Sequence, residues 1–513
     1  MYYIFLGIIL IGLAVAWKLT RLPKRMALED KHPPTAPDNV RVSKLWADQT
    51  TTGLLPIPDG IEAFAMRLKL IEMAEYRVDA QYYLWRADVC GSLMFDALMG
   101  AAERGVTVRI LLDDNATKVL DPRIAWANAH ENIEVRLFNP FPLRRLRFLG
   151  YLMDFRRLNR RMHNKALVVD GQAAVLGGRN IGDEYYNNFA KMGSFMDFDV
   201  LVAGDAAQQA QEEFDTYWNS DPTWLADNIL PARFTENPEH GAAQNAECVA
   251  SQQTKDFLEL LPDTPTITEM DEDRLRLREA KVTLLHDPPE KVLGRARRRN
   301  LLFPNIQMAM GKPKTHFDII SPYFVPRNKG RKQLIAMAKS GIKVRALTNS
   351  LASSDKPIVH TGYAGQRRKL LSGGVEIFEF AHDEKVRFRR GLIGHHRRGT
   401  SPFARTKLHA KILSVDREKV FIGTFNFDPR SVFLNTEMGV VIEDRAWAED
   451  LHNGFDSVIP GAAWKLTRDH KRIRWEREVP GEGTEVWHHE PYTSWWQRAL
   501  IVAGSILPIE WLL

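Results

Sequence analysis

The chain has 513 residues, and its length predicts roughly two to four domains. With 44% hydrophobic and 26% charged residues the composition is that of an ordinary globular protein, and the formal charge of +6 favours an anionic partner, either nucleic acid or an acidic membrane surface. The two cysteines, Cys90 and Cys248, exclude a disulfide scaffold and a cysteine-based zinc site and suit a reducing compartment.

The N-terminus predicts an uncleaved membrane anchor over residues 1–25. Its first 17 residues carry no charged side chain, a length near the lower limit for a helix that crosses a bilayer. A signal peptide would have positive charge before the apolar run and a small-residue cleavage site after it, and neither is evident. The basic residues follow the apolar run instead, which places the body of the protein in the cytoplasm. A buried core helix is the alternative.

Polar, proline-containing stretches indicate the domain boundaries. The predicted units are an anchor (1–25), a linker (26–45), a first lobe (46–231), an inter-lobe linker (232–280), a second lobe (281–475) and a C-terminal tail with an interfacial apolar segment (476–513).

The two lobes resemble each other. The first contains the short apolar runs RVDAQYYLW (77–85) and GVTVRILLDD (105–114), separated by a helical stretch that ends on glycine. The second contains HFDIISPYFVP (316–326) and GIKVRALTNS (341–350) in the same arrangement. Strand, helix and strand in each half predict an α/β fold with parallel strands.

One five-residue pattern occurs twice, and the copies lie 246 residues apart. MHNKALVVDGQAAVLGGRN (162–180) and LHAKILSVDREKVFIGTFN (408–426) both place Lys at +2, Asp at +7, Gly at +14 and Asn at +17 after a histidine. The first copy consists of His163, Lys165, Asp170, Gly177 and Asn180; the second consists of His409, Lys411, Asp416, Gly423 and Asn426. The repetition indicates an internal duplication with two lobes that face each other.

Each copy predicts a β-hairpin, with Asp170-Gly171 as the turn of the first. Because side chains alternate along a strand, His163 and Lys165 share a face, whereas Asp170 has the opposite parity. We therefore expect Asp170 to hold the hairpin rather than to react. Gly177 and Gly178 allow the backbone to approach another group closely.

Together the copies supply two imidazoles, two ammonium groups and two amides, a set that suits a tetrahedral phosphate. Lysine and asparagine would neutralise and hydrogen-bond the phosphate oxygens. One imidazole would attack phosphorus to give a phosphohistidine; the other would protonate the leaving alkoxide and then deprotonate the incoming hydroxyl. The candidate catalytic residues are His163, Lys165, Asp170, His409, Lys411 and Asp416, and the candidate substrate-binding residues are Asn180, Asn426, Gly177 and Gly423.

Two acidic residues, Asp197 and Glu437, each begin an apolar strand after a motif. We expect each to orient the imidazole of its own lobe, the alternative being an ordinary carboxylate at the start of a strand. No group of Asp, Glu or His in the sequence has metal-ligand spacing, so we expect a reaction without a metal or other cofactor.

The stretches HNKALVVD…GGRN and HAKILSVD…GTFN resemble the paired HxKxxxxD motifs of the phospholipase D superfamily, and the resemblance covers the chain from about residue 40 to residue 475. Further stretches resemble the bacterial cardiolipin synthases of the C type: DAQYYLW, TNSLASSDKPIVHTGY, FNFDPRSVFLNTEMGVV and PYTSWWQRALIVAGSILPIEWLL. Two features depart from the wider pattern. Only one anchor is predicted for this chain, and it has GGRN where a serine-containing loop is usual, so no serine role is carried over to Gly178.

The resemblance implies two phospholipase D-like lobes, each a mixed β-sheet flanked by helices, with the active site between them. It implies a phosphatidyltransferase that makes cardiolipin from phosphatidylglycerol and a phospholipid donor, with phosphatidylethanolamine as the implied donor. Since the first copy usually supplies the nucleophile, it assigns that role to His163 and the acid–base role to His409. Such enzymes can need an accessory protein, and the implied location is the bacterial inner membrane with the catalytic body facing the cytoplasm.

Basic and apolar residues are interleaved before both motifs, over 138–165 and 385–399, which suits an anionic membrane surface. A solvated basic face or a nucleic-acid contact is the alternative. Residues 499–513 are too short to span a bilayer and lie beside Trp495, Trp496 and Trp511, so we expect them to lie along the interface. The competing functions are a lipid-hydrolysing phospholipase D, a membrane-tethered nuclease and an inactive scaffold. The membrane segments disfavour a nucleic-acid partner, and the two intact motifs disfavour a scaffold.

Overall fold

The computed structural model describes residues 39–506 apart from 145, 187–193, 263, 273, 382–405, 471 and 480, and also describes Phe5, Leu22, Pro23 and Pro37. Within this part of the chain, no helix has the length and apolar character needed to cross a bilayer. The predicted anchor, residues 1–25, lies outside the described residues apart from Phe5, Leu22 and Pro23.

The first lobe is built on a nine-stranded sheet, counted over the described residues, in the order β10-β1-β8-β6-β5-β2-β3-β4-β9. The strands of this half are β1 (Thr52–Ile57), β2 (Arg77–Tyr82), β3 (Thr107–Asp113), β4 (Ile133–Phe138), β5 (Lys165–Val169), β6 (Ala173–Gly177), β7 (Phe195–Met196), β8 (Asp199–Gly204), β9 (Thr223–Leu225) and β10 (Arg278–Glu279). Its helices are α1 (Gly60–Met73), α2 (Val89–Glu103), α3 (Asp121–Asn128), α4 (Arg147–Met153), α5 (Phe155–Leu158), α6 (Asp205–Trp218), α7 (Ala226–Ile229), α8 (Ala232–Thr235), α9 (Glu239–Val249), α10 (Gln252–Leu258) and α11 (Pro265–Asp271).

The second lobe has a ten-stranded sheet, again over the described residues, in the order β11-β18-β17-β16-β12-β13-β14-β19-β20-β21. The strands of this half are β11 (Lys281–His286), β12 (His316–Ile320), β13 (Lys343–Asn349), β14 (Glu376–Phe380), β15 (Lys407–Leu408), β16 (Ile412–Val415), β17 (Lys419–Gly423), β18 (Met438–Glu443), β19 (Ala463–Asp469), β20 (Arg472–Val479) and β21 (Gly483–Trp487). Its helices are α12 (Leu302–Met310), α13 (Arg327–Lys339), α14 (Pro357–Ser372), α15 (Pro429–Phe433), α16 (Arg445–Ser457), α17 (Ile459–Ala462) and α18 (Trp495–Ile506).

Each sheet is mixed and contains three adjacent parallel strands. β2, β3 and β4 are parallel in the first lobe, as β12, β13 and β14 are in the second, and the motif hairpin adds antiparallel strands on one side. Helices join the parallel strands, as right-handed crossovers require. This confirms the predicted pair of similar α/β lobes.

The two sheets pack together through one shared apolar core. It combines first-lobe side chains such as Val168 and Val200 with second-lobe side chains such as Ile412 and Val440, all of them buried. Separate cores lie on the outer side of each sheet. The relative position of the lobes is therefore fixed by close packing, which is the precondition for a site that both lobes build.

Two predicted boundaries differ from the observed elements. Residues 232–280, predicted to be a linker, carry helices α8 to α11, and Phe257, Leu261 and Met270 of this segment are buried in the first-lobe core. The tail predicted from residue 476 still contains the end of β20 and all of β21, which extend the second sheet. Both segments contain enough apolar side chains to pack on a lobe, although polar residues and prolines lie between them.

Candidate active site

Both motif hairpins lie next to the three parallel strands of their sheet. β5 pairs with β2, so that Lys165 lies opposite Tyr82, the last residue of β2. β16 pairs with β12 in the same way, with Ile412 opposite Ile320. Each motif histidine therefore lies just beyond the carboxyl end of a parallel strand, which is where α/β sheets place their sites.

Backbone hydrogen bonds between the lobes bring the two histidines to one place. The N–H of His163 donates to the carbonyl oxygen of Thr436 in the second lobe, at 2.9 Å. The N–H of His409 donates to the carbonyl oxygen of Met196 in the first lobe, at 2.8 Å, beside the short parallel pairing of β7 with β15. The two motifs thus meet where the lobes join.

The carboxylates that contact the imidazoles come from the opposite lobes. Nδ1 of His163 lies 2.7 Å from Oε2 of Glu437, and Nδ1 of His409 is hydrogen-bonded to Oδ2 of Asp197. Our expectation that each acid orients the histidine of its own lobe is therefore wrong. The cause is topological, because the segment that precedes each acid pairs with the segment that precedes the other lobe's histidine.

The two carboxylates are held differently. Oε2 of Glu437 accepts a hydrogen bond from the Thr424 hydroxyl at 2.5 Å, and Oε1 accepts one from Ser431 at 2.7 Å. The residue equivalent to Thr424 in the first motif is Gly178, and a Cβ there would lie 2.1 Å from Oδ1 of Asp197. The glycine thus makes room for the shorter acid, which explains the GGRN sequence of the first copy.

The electrostatic states of the carboxylates differ as well. Although burial opposes ionisation, Lys411 and His409 hold the pKa of Asp197 down at about 2. Burial raises the pKa of Glu437, and the charge of Lys165 compensates only in part. His409 therefore faces a firmly anionic partner, whereas the partner of His163 keeps its negative charge less readily.

Both imidazoles favour the neutral form. Burial lowers the pKa of His163 well below its usual value, and the nearby charges of Lys165 and Lys411 lower it further. Burial and Lys411 also lower the pKa of His409, while Asp197 acts in the opposite direction. A neutral imidazole whose Nδ1 is engaged by a carboxylate presents Nε2 with a free lone pair, as a nucleophile or a base must.

The two motif lysines are buried next to the histidines. The Lys165 ammonium donates to the carbonyl oxygen of His163 at 2.7 Å, and that of Lys411 donates to the carbonyl oxygen of His409 and lies 2.9 Å from its Nδ1. Burial is the main cause that lowers the pKa of both ammonium groups. A phosphate bound here would compensate for the lost hydration of both cations.

The two motif aspartates lie away from this cluster, in the turns of the hairpins. Asp170 accepts backbone N–H groups from Glu75, Tyr76 and Arg77 at 2.7 to 3.0 Å. Asp416 does the same for residues 314–316, at 2.8 to 3.0 Å. Both therefore tie a hairpin to the start of a parallel strand and do not touch the imidazoles.

The motif glycines, and Asn180 among the motif asparagines, also contact the backbone of neighbouring segments. A Cβ at Gly177 or Gly423 would lie within 2.5 Å of the backbone of the neighbouring strand, so the close approach predicted for these residues is to β8 and β18. Asn180 accepts from the N–H of Leu84 at 3.2 Å and donates to the Tyr185 hydroxyl at 2.8 Å. Oδ1 of Asn426 is buried and has no hydrogen-bond partner among the described residues. Their role in substrate binding remains a prediction.

Sequence reasoning missed the residues that hold the backbone before each histidine. The Asp113 carboxylate accepts the N–H of Met162 at 2.8 Å, and the Asn349 amide oxygen accepts the N–H of Leu408 at 3.0 Å. Both are the last residues of their strands, β3 and β13. A polar residue at the carboxyl end of a buried parallel strand is the signal that points to them.

Aromatic side chains surround the imidazoles and were missed as well. The ring of Tyr83 lies edge-on to His163 with centroids 5.0 Å apart, and those of Tyr185 and Phe195 lie 5.2 and 4.9 Å from His409. These rings exclude water from the imidazoles, which strengthens every charge interaction in the site.

Comparison with known proteins agrees with this geometry. The family described as cardiolipin synthase, PLD-like domain, matches residues 68–218 and 306–459, one match in each lobe. The chain belongs to this family. It is 43% identical over 467 residues to cardiolipin synthase C of Escherichia coli, which covers 90% of the chain and 96% of that protein.

Two further similar proteins share less of their sequence with this chain. Cardiolipin synthase 1 of Bacillus anthracis is 28% identical over 80% of this chain and 66% of its own length. The crystal structure of phosphatidylserine synthase from Haemophilus influenzae superposes with a TM-score of 0.55 over 91% of this chain and 98% of that one. At 13% identity that similarity shows a shared fold.

We predict that Asp170→Ala lowers the free energy of unfolding by about 2 to 4 kcal/mol, because it leaves the buried N–H of Arg77 and the partly buried N–H groups of Glu75 and Tyr76 without an acceptor. Asp416→Ala should lower it by about 1 kcal/mol, since two of the N–H groups it releases are exposed and that of His316 is only partly buried, so water can replace the carboxylate. Chemical denaturation of the two variants checks the difference. Equal effects would contradict this account of the turns.

We predict that Asp197→Asn moves the alkaline limb of the kcat–pH profile to lower pH. The anionic carboxylate raises the pKa of His409, so its loss lowers that pKa, and the protonated form that acts as an acid disappears at lower pH. The profile is measured as product formed against pH. A reduced kcat with an unmoved alkaline limb would show that Asp197 has a merely structural role.

Proposed function

We propose that this chain is a cardiolipin synthase that transfers a phosphatidyl group through His163 to phosphatidylglycerol. Family membership supports the reaction class. The observation that carries the proposal is the crossed arrangement, in which two neutral imidazoles with unlike carboxylate partners and two buried ammonium groups meet between the lobes. A phosphodiester is the substrate class that uses one imidazole on phosphorus, another on the leaving group and cations on the oxygens.

The unlike carboxylates support His163 as the nucleophile. Burial and two nearby cations hold its pKa well below the usual value, which keeps Nε2 unprotonated and able to attack. His409 faces Asp197, whose low pKa keeps it anionic, and an anion stabilises the imidazolium that forms when His409 takes up a proton. The acid–base role therefore fits His409.

The reaction then proceeds in two displacements. His409 enters this step as the imidazolium, which Asp197 and the anionic donor phosphate stabilise. Nε2 of neutral His163 attacks the donor phosphorus, the bond to the head-group oxygen breaks, and the His409 imidazolium gives its proton to that oxygen. The phosphatidylglycerol hydroxyl then gives its proton to His409 and attacks phosphorus, which releases His163. Lys165 and Lys411 neutralise the phosphate oxygens in both steps. The donor we propose is phosphatidylethanolamine, with ethanolamine as the leaving group.

Product analysis tests the function directly. Full-length protein is given mixed micelles of phosphatidylethanolamine and phosphatidylglycerol, and lipids are identified by mass spectrometry. We expect cardiolipin and free ethanolamine. Phosphatidic acid without cardiolipin would make the chain a hydrolase, and turnover of nucleic acid without lipid turnover would overturn the proposal.

We predict that His163→Ala and His409→Ala each reduce turnover by at least about 1,000-fold, since either change removes an essential imidazole. The two variants should differ in one respect. Protein incubated with donor alone and denatured with detergent at alkaline pH should carry a base-stable, acid-labile phosphatidyl adduct in His409→Ala and none in His163→Ala. The reverse pattern would exchange the roles of the two histidines.

We propose that the mouth of the site faces an anionic lipid surface. Helix α4 and its flanks expose apolar side chains beside the basic Arg156: Leu146, Phe148, Leu152, Met153 and Phe155. This surface, the α4 patch, is connected to the site. The Tyr151 hydroxyl donates to Asn115 at 2.9 Å, and the Asn115 amide donates to the hydroxyl of Tyr83, whose ring lies against His163.

A second apolar surface lies on α18. One side of this helix packs on α14, where a Cβ at Gly504 would lie 2.8 Å from the Thr361 side chain. The other side exposes 75% of Trp495 and 63% of Leu500. Tryptophan and leucine on the free side of an amphipathic helix favour the membrane interface, so this α18 patch supports an interfacial C-terminus.

The remaining membrane features are proposals from the sequence. We propose that residues 1–25 anchor the chain in the bacterial inner membrane with the catalytic body in the cytoplasm. The basic segment 385–399 falls outside the described residues. We also propose that the enzyme works with an accessory protein as its partner.

We predict that Phe148→Ser combined with Leu152→Ser weakens binding to phosphatidylglycerol vesicles by at least about tenfold, because each apolar side chain contributes roughly 1.5 to 3 kcal/mol when it leaves water. Deletion of residues 494–513 should also weaken binding. Vesicle flotation measures both.

A matched control is Met308→Ser on α12, which removes an equally exposed apolar side chain outside both patches. It should leave flotation unchanged. Unchanged flotation of the α4 double variant would reject the α4 patch as a lipid contact.

A further inference from the structure

The loop after β13 runs along the edge of the active site. It begins at Asn349, whose amide both accepts from the N–H of Leu408 and donates to its carbonyl oxygen, at 3.0 and 2.8 Å. A turn in which Ser353 bonds to Ser350 follows, and the loop ends at Lys356, directly before α14. The loop is thus fixed to the residue that precedes His409.

The side chain of Lys356 is exposed and held in one direction. Its Nζ lies 5.4 Å from the centroid of the Tyr323 ring, and the Tyr323 hydroxyl donates to Asp355 at 2.7 Å. Among the described residues, no carboxylate or hydrogen-bond acceptor pairs with this ammonium group. A cation oriented by an aromatic ring and left without an anion is ready to bind one.

Lys356 lies close enough to act on both motifs. After burial and the motif cations, its positive charge further lowers the pKa of His163. It has the same effect on Lys165 and Lys411, in each case after burial and other charges. Lys356 is therefore near both motifs and, because its side chain is exposed, it lies outside the pair of buried lysines.

The first lobe has no such cation at the equivalent position. In both lobes a residue before a proline marks the helix start: Asp121, the first residue of α3, precedes Pro122, and Lys356 precedes Pro357, the first residue of α14. Asp121 is buried, and its carboxylate accepts from Nε of Arg144 at 2.9 and 3.0 Å. The duplication has therefore left an exposed lysine in the second lobe, on the loop that is hydrogen-bonded to the residue before His409.

Transfer between two phospholipids brings two phosphates to one site. One is transferred, and the buried motif lysines suit it. The other is the phosphodiester of the acceptor, which lies across the glycerol from the attacking hydroxyl and stays intact. Hydrolysis would need no place for this second phosphate.

We propose that Lys356 binds the phosphodiester of the acceptor phospholipid and so positions its glycerol hydroxyl beside His409. The inference rests on the proposed function, since it concerns the acceptor of that reaction. Lys356 is a specificity-determining residue in this account: it forms no bond to the transferred phosphorus and moves no proton.

The test compares KM for the two lipids in the mixed-micelle assay. Lys356→Gln should raise KM for phosphatidylglycerol at least about tenfold, because a charge-assisted hydrogen bond to phosphate is lost. KM for phosphatidylethanolamine should change by less than about twofold, since the donor phosphate is bound by the motif lysines. Lys356→Arg, which keeps the charge, should retain most of the affinity for phosphatidylglycerol.

Lys339→Gln on α13 is the control, an exposed lysine changed in the same way at the far end of that helix. It should leave both KM values unchanged. An unchanged KM for phosphatidylglycerol in Lys356→Gln, or equal rises for both lipids, would overturn the inference. Absence of cardiolipin with the unmodified protein would instead overturn the proposed function, so the two failures are distinguishable.

Discussion

The crossed hydrogen bonds between imidazole and carboxylate are the constraint on which the rest of the site depends. His163 needs Glu437 and His409 needs Asp197, and each pair joins one lobe to the other. Neither lobe alone can orient its own histidine, so the site exists only when the lobes are docked. The shared apolar core and the backbone bonds at Thr436 and Met196 hold this docking to the accuracy that catalysis requires.

Burying the two motif lysines costs free energy as long as no substrate is bound. Lys165 and Lys411 are taken out of water beside neutral imidazoles, and burial lowers the pKa of both lysines. The two carboxylates compensate in part, and the carbonyl oxygens of the motif histidines accept from the ammonium groups. An anionic phosphodiester would compensate for the remaining positive charge of the two lysines. The free site is therefore already organised for the negative charge that develops on the phosphate oxygens in the transition state.

The sequence allowed much of the fold and the key histidines to be predicted, because these follow from local patterns and from repetition. Strand periodicity located the hairpins, and identical offsets paired the two motifs. The crossing of Asp197 and Glu437 was not predictable in this way, since no local pattern records which of two homologous segments a strand will meet. Asp113 and Asn349 were missed for a related reason: they are the last residues of buried strands, and their importance appears only when the backbone before each histidine is placed against them. The helices of residues 232–280 were hidden by a polar composition.

The two halves of the duplication have become different in ways that suit a reaction with two steps. Gly178 and Asp197 give His409 a firmly anionic partner, whereas Thr424 and Ser431 hold the longer Glu437 against His163. In the proposed mechanism His409 protonates the departing head group and then deprotonates the acceptor, so the two must occupy the same position in turn. A cation at the edge of that position, the place proposed for Lys356, would attract the phosphate of an incoming phosphatidylglycerol. The charge difference between the lobes thus favours binding of the second substrate, which a symmetric pair of lobes would not do.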